Sequence, residues 1–359
     1  MPSLREKIGQ MIMIGIQGEE LAPEEKSFFK DYPVGGFILF GHNLKAPAQI
    51  LALCRSLWEI KDELPPFIAI DQEGGRVHRL PPPFTHFPPA AEVGRAGDSE
   101  LAYRAGLAMA GELKSVGVNL NFAPVFDVAT NPKNPVIGDR ALSSEPNEVF
   151  ELGWEIARGL REGGVIPCIK HFPGHGGTDA DSHVELPVVD KEIEDLQATE
   201  LVPFAQACGK RVEAVMTAHV MYPALDRVYP ATLSPKIIGE LLRGELRYDG
   251  VVFSDDLEMK AVSEKYSGEE AAALAVAAGV DELLFCHDSD RAAAALDDLC
   301  RRAAGDQDLV NRIEESYRRI RKLKKRTFTG FSGASEDELA DLIGMQGKKI
   351  AAEILQGRR

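Results

Sequence analysis

The chain has 359 residues and a formal net charge of −15, with 44% hydrophobic and 27% charged residues. That apolar share supports a substantial core, and the length suits two ordinary domains or one large α/β barrel with extensions. So acidic a chain repels phosphate backbones and anionic membranes, which excludes nucleic-acid and membrane binding as main roles while leaving room for a local basic pocket.

The amino end reads Met-Pro-Ser-Leu-Arg-Glu-Lys, then a short apolar stretch interrupted by Gly9, Gln10 and Gly15. It lacks the long apolar region and cleavage site of a signal peptide, and no run approaches a membrane span. The five cysteines are scattered and odd in number, with no CxxC, as expected of reduced thiols. A cytoplasmic protein is expected.

Eight short β-rich apolar runs are predicted at 11–16, 36–40, 67–70, 118–123, 165–169, 214–217, 250–253 and 282–285. Amphipathic stretches at 23–30, 47–61, 99–116, 147–162, 191–208, 235–246 and 269–278 separate them, and 291–302 and 309–325 follow the last. Near-continuous apolar strands alternating with helices imply a parallel sheet covered on both faces. Eight such units predict an α/β fold of the (β/α)8, TIM-type barrel kind. A doubly wound open sheet is the alternative, weakened because no GxGxxG or GxxxxGK[ST] follows any run. The barrel is expected to occupy 1–326. The remainder, 327–359, is read as a Gly/Ser/Thr-rich connector and a C-terminal helix over 336–355. That helix would pack on the barrel through Leu339, Leu342, Ile343, Ile350 and Ile354.

Barrel active sites lie at the C-terminal ends of the strands, and the polar residues fall there. Asp71, Gln72 and Glu73 follow the third run, Asp127 and Arg140 the fourth, and Lys170 and His171 the fifth. His219 follows the sixth, Asp255 and Asp256 the seventh, and His287 and Asp288 the eighth. Asp71 could accept hydrogen bonds from neighbouring ligand hydroxyls, or pair with Arg76. Asp255 is assigned to chemistry; Asp256 is assigned to capping the next helix or to supporting Asp255.

The stretch from Lys170 to His183 holds three His, two Asp and one Lys, and is expected to be a loop after the fifth strand. One reading makes His171, His175, Asp179, Asp181 and His183 metal ligands. Pro173 and Gly174 break the helix that would give the His171–His175 spacing its meaning. The other makes Asp181 and His183 a carboxylate–imidazole dyad that moves protons near neutral pH. Gly174, Gly176 and Gly177 suggest a mobile loop that brings His183 in when substrate binds.

Lys170-His171-Phe172-Pro173-Gly174-His175-Gly176 with the later Asp181-Ser182-His183 closely resembles the signature of glycoside hydrolase family 3, in particular its β-N-acetylhexosaminidases. Asp71–Val77, Asn121–Val128, Met216–His219 and Phe253–Leu257 also resemble that family's motifs, in its order and across nearly the whole barrel. The chain is too short for the second α/β domain of larger members. It resembles the compact subgroup that uses an Asp–His pair instead of a Glu acid/base. One departure is Ile137-Gly138-Asp139-Arg140-Ala141-Leu142-Ser143, where the family usually follows the arginine with Ser, an aromatic and a glycine. That bears on fine substrate preference more than on the reaction.

The resemblance implies a retaining exo-enzyme that removes terminal β-linked N-acetylglucosamine, from peptidoglycan (muropeptide) fragments in the cell. A β-glucosidase or a phosphorylase of the same family is the alternative, and a metal-dependent barrel hydrolase a further one. By the same resemblance Asp255 is the nucleophile, His183 the acid/base and Asp181 its partner. Asp71, Arg140, Lys170 and His171 bind the sugar, with Arg76, His219, Asp256 and Met259 supporting them. No metal, organic cofactor, nucleic acid or membrane partner is expected, and a monomer is.

Overall fold

Strands that alternate with helices need cover on both faces, and the structure supplies it. The computed structural model describes residues 2–60, 64–179, 182 and 186–357. Eight parallel strands run β1 (Ile12–Gly15), β2 (Gly36–Leu39), β3 (Phe67–Ile70), β4 (Leu120–Asn121), β5 (Ile166–Phe172), β6 (Ala214–Thr217), β7 (Val251–Asp256) and β8 (Glu282–Phe285). They close in chain order into one barrel, with β8 pairing back onto β1. Helices surround them, so the predicted (β/α)8 class is the observed one. All strand residues are buried except Gly15 and Asp255, which are partly exposed.

Five strands differ from their predicted extent, β1 and β2 only by single residues at their ends and β4, β5 and β7 through their pairing with a neighbour. β4 shrinks to two residues because asparagine side chains replace part of its ladder. Asn119 Oδ1 accepts the Ile68 N–H at 2.8 Å, and Asn121 Oδ1 accepts the Gln72 N–H at 3.0 Å. β5 runs on through Phe172, so the polar loop starts at Pro173 and Lys170 and His171 are strand residues. β7 likewise runs on through Asp256. Both extensions contain a register shift, between Ile169 and Phe172 and between Phe253 and Asp256. Such bulges bend a strand and re-aim the side chains they contain, here Lys170 and His171 on β5, and Ser254 and Asp255 on β7.

The predicted helix over 191–208 is two, Ile193–Ala198 and Leu201–Gly209, broken where the Thr199 hydroxyl donates back to the Asp195 carbonyl at 2.7 Å. The predicted C-terminal helix also divides, into Leu339–Leu342 and Met345–Gln356, at Gly344. That break turns Leu342 outward, to 49% exposure, while Ile350 and Ile354 are buried. Met345–Gln356 lies against helices Ala90–Ala96 and Ser99–Ser115. Buried Glu112 pins the segment by accepting the N–H groups of Thr85 and Gly344, each at 2.9 Å. Among the described residues no helix is long and apolar enough to cross a membrane.

The barrel interior is aromatic. Phe253 meets Phe67 at 5.7 Å and Phe122 at 5.5 Å, both edge to face. Below them Lys324 is fully buried, donating to Gln10 Oε1 at 2.8 Å and to the Gly35 carbonyl at 2.6 Å. Glu282 is also fully buried, and neither carboxyl oxygen has a hydrogen-bond partner. Burial pushes the Glu282 carboxyl up to about 8 and the Lys324 ammonium down to about 8.

The folded state therefore holds the Glu282 proton in a range where the unfolded chain has lost it. Its stability falls as pH rises from the ordinary carboxyl range to about 8. Glu282→Gln removes that titration. The variant's stability is expected to match the parent's near pH 4.5 and to exceed it increasingly up to pH 8, by on the order of 1–3 kcal/mol, with a correspondingly higher thermal midpoint. Melting curves across that range check it; a gap that stays constant with pH would show that Glu282 does not titrate.

Candidate active site

A cavity of about 320 Å³ opens at the C-terminal ends of the strands. Asp71, Glu73, Arg140, Lys170, His171, Asp255, Asp256 and Met259 line it, together with His175 and Ser182. A larger hollow of about 830 Å³ lies at the opposite end, near Arg5, Phe29 and Ile60.

The strongest feature is a locked grid of charges on one wall. Lys170 Nζ stands 2.7 Å from both Asp71 Oδ1 and Glu73 Oε1. The Arg140 guanidinium forks onto Glu73, with Nε and one terminal nitrogen each 2.8 Å from a different carboxyl oxygen. The other terminal nitrogen donates to the Val136 carbonyl at 3.2 Å. Burial alone would raise the Glu73 carboxyl, but Arg140 and Lys170 outweigh it and hold Glu73 well below the usual carboxylate range. Burial likewise disfavours the Lys170 ammonium, and Asp71 and Glu73 reverse that and raise it. Glu73, Lys170 and Arg140 are thus charged near neutral pH. Lys170 has one N–H left of three, and Arg140 two of five.

A second set of bonds fixes the histidines. Fully buried Asp127 accepts from His171 Nδ1 at 2.7 Å and from the backbone N–H of His175 at 2.6 Å. Burial acts to raise Asp127, and the histidines more than offset it and lower it. An ionised carboxylate can only accept, so Nδ1 of His171 carries the proton and Nε2 is the ring atom left for a ligand. His175 is buried, with Nδ1 2.9 Å from Thr178 Oγ1 and Nε2 3.3 Å from Ser182 Oγ. Burial drives the His175 imidazole down to about 4, so it is neutral. The Lys170–His171 and Phe172–Pro173 peptide bonds are cis.

Asp255 and its neighbour differ. Asp255 accepts the N–H of Asp256 at 2.8 Å. Burial acts to raise its carboxyl, but His219, His171 and Lys170 win and lower it. Asp256 is pushed up to about 6 by burial, and its Oδ1 is occupied by the N–H groups of Glu258 at 3.1 Å and Cys286 at 3.3 Å. His219 sits buried behind the pair, with Nε2 2.8 Å from the Asp256 carbonyl. Arg76 does not meet Asp71. It pairs with Asp139 at 3.2 Å and donates to the carbonyls of Pro135, Val136 and Ile137.

Asp181 and His183 lie outside the described residues. Ser182 between them is buried, and its carbonyl accepts the Ala261 N–H at 3.3 Å. The loop glycines answer to close packing. A Cβ on Gly176 would lie 1.7 Å from the Val128 carbonyl oxygen, and one on Gly174 would lie 2.7 Å from Cβ of Glu200. Among the described residues no group of three or more His, Cys, Asp and Glu could hold a metal ion. The sequence places Glu73 and Asp127 at strand ends without indicating a role for either. For Glu73 a signal existed, since it stands two residues beyond Asp71 and so on the same side of an extended segment. Asp127 carries none, because its partner His171 is 44 residues away.

Residues 3–323 match the model of the glycosyl hydrolase family 3 N terminal domain. The chain is 39% identical over 286 residues to a beta-hexosaminidase of Pseudomonas aeruginosa, covering 79% of this chain and 85% of that protein. It is 40% identical over 291 residues to one of Alkalilimnicola ehrlichii, covering 79% and 83%. Among solved structures, a glycoside hydrolase family 3 beta-N-acetylglucosaminidase from Paenibacillus sp. superposes with a TM-score of 0.92 at 41% identity, covering 100% of this chain and 69% of that one. NagZ from Neisseria gonorrhoeae, in complex with N-trifluoroacetyl-D-glucosamine, superposes with a TM-score of 0.79 at 30% identity, covering 97% and 98%.

Proposed function

Since this chain belongs to glycosyl hydrolase family 3 and is a glycoside hydrolase, we propose that it releases single terminal β-linked N-acetylglucosamine residues by a retaining mechanism. The observation that carries this reading is an ionised Asp255 facing the charge grid across a cavity of about 320 Å³. That volume is at the small end of ligand pockets and suits one sugar rather than a chain, hence exo action. The relatives named beta-hexosaminidase and the neighbour holding an acylated glucosamine support the choice of sugar.

In the first step an Asp255 carboxylate oxygen bonds to the anomeric carbon as the glycosidic C–O bond breaks. His183 gives its proton to the departing oxygen. In the second, His183 takes a proton from water, the water oxygen bonds to the anomeric carbon, and Asp255 leaves. Asp181 holds and tunes His183. Asp71, the remaining N–H groups of Lys170 and Arg140, and Nε2 of His171 grip hydroxyls and the acetamido group. Peptidoglycan fragments are the proposed source of substrate.

The enzyme should release nitrophenol from nitrophenyl N-acetylglucosaminide, with at least about tenfold preference over nitrophenyl glucoside. The rate should not rise with added phosphate. Equal rates on both sugars would overturn the proposed selectivity, and a phosphate-dependent sugar phosphate product would replace hydrolysis by phosphorolysis.

A further inference from the structure

At the opposite end of the barrel, a cavity of about 420 Å³ lies before β6 and β7, against helix Gln307–Thr327. Its charged lining is five cations, Arg211, Arg247, Arg319, Lys322 and Arg326, against two carboxylates, Glu213 and Asp249. Both carboxylates are already shared. Glu213 takes the fork of Arg161 at 2.7 and 2.9 Å and also Arg326 at 3.3 Å. Asp249 takes Arg319 at 3.4 Å and Lys322 at 3.3 Å. Arg211 and Arg247 are exposed, and among the described residues neither is paired with a carboxylate. This is a concentrated positive pole on a chain of net charge −15.

The backbone supplies an independent observation. Arg211 and Arg247 are the two non-glycine residues recorded with positive φ among those described, at 60° and 52°. Each stands two residues beyond a helix, Leu201–Gly209 or Pro235–Glu245, and turns the chain into the next strand. At the same turn before β4, β5 and β8 the positive-φ residue is glycine, at Gly117, Gly164 and Gly279. Glycine takes this left-handed conformation without the steric cost that a Cβ brings. Two arginines therefore accept a backbone cost that three equivalent turns avoid, and both open onto one cavity.

We propose that this cavity is a binding site for a diphosphate group, carried by a free anion or by a nucleoside diphosphate. Paired guanidinium forks match adjacent phosphate oxygens, and Lys322 and Arg326 supply charge that shared Glu213 and Asp249 leave unbalanced, while Arg319 is also held by Asp281 at 3.4 Å and Glu315 at 3.8 Å.

The test titrates the full-length enzyme with inorganic pyrophosphate and, separately, with ADP, at ionic strength matched with sodium chloride. Calorimetry should show one site, and saturating ligand should raise the melting midpoint by about 2 °C or more. Tighter binding of ADP assigns the group to a nucleoside diphosphate, and tighter binding of pyrophosphate assigns it to the free anion. The double variant Arg211→Gly with Arg247→Gly should melt no lower than the parent and bind at least about tenfold more weakly. Lys322→Gln with Arg326→Gln, on the helix, should weaken binding by itself. No heat or shift beyond the salt control would overturn the site, and so would undiminished binding in both double variants.

Discussion

Asp255→Ala should leave a folded protein with turnover reduced by roughly 10³-fold or more, because the covalent route is gone. The side chain is the one partly exposed carboxylate on the eight strands, and its bulge turns it into the cavity. Its carboxyl is lowered by His219, His171 and Lys170 against the effect of burial, so it is ionised when substrate arrives. Asp256 is the competing nucleophile. Its carboxyl is pushed up to about 6, and Oδ1 is engaged by two backbone N–H groups. A 2-fluoro or 5-fluoro glycosyl inhibitor followed by peptide mass spectrometry separates them. The expected label is on Asp255. A label on Asp256 would reassign the nucleophile and make Asp255 its electrostatic support.

His183→Ala should produce a loss that depends on the leaving group. With an unactivated disaccharide the departing alkoxide needs a proton, and glycosylation should fall by about 10²–10⁴-fold. With a dinitrophenyl leaving group the oxygen departs unaided, and much more of the single-turnover rate should survive. Asp181→Asn should be milder in both, since it keeps the side chain's shape and loses the charge that stabilises the imidazolium. Ser182, which stands between them in sequence, is buried on the cavity wall and tied to Ala261 N–H and His175 Nε2. Equal slowing of activated and unactivated substrates would remove His183 from the acid role.

The sequence by itself determined the barrel and the end of it at which the polar side chains gather. Apolar runs such as 67–70 and 214–217 are local signals, and both became strands with the predicted bounds. Placing Asp71, Lys170, His171 and Asp255 at one mouth followed from counting where polar residues succeed those runs. The tertiary structure decided what joins them. Lys170 meets Asp71 across 99 residues, and Arg140 meets Glu73 across 67. No local pattern encodes such a pairing, because it is fixed by which strands become neighbours when the barrel closes. The same holds for the bulges in β5 and β7. A run of residues shows its own periodicity, but a register shift exists only against the partner strand. The left-handed arginines at 211 and 247 are a third case, since a helix end names its strained position only once the turn into the next strand is built.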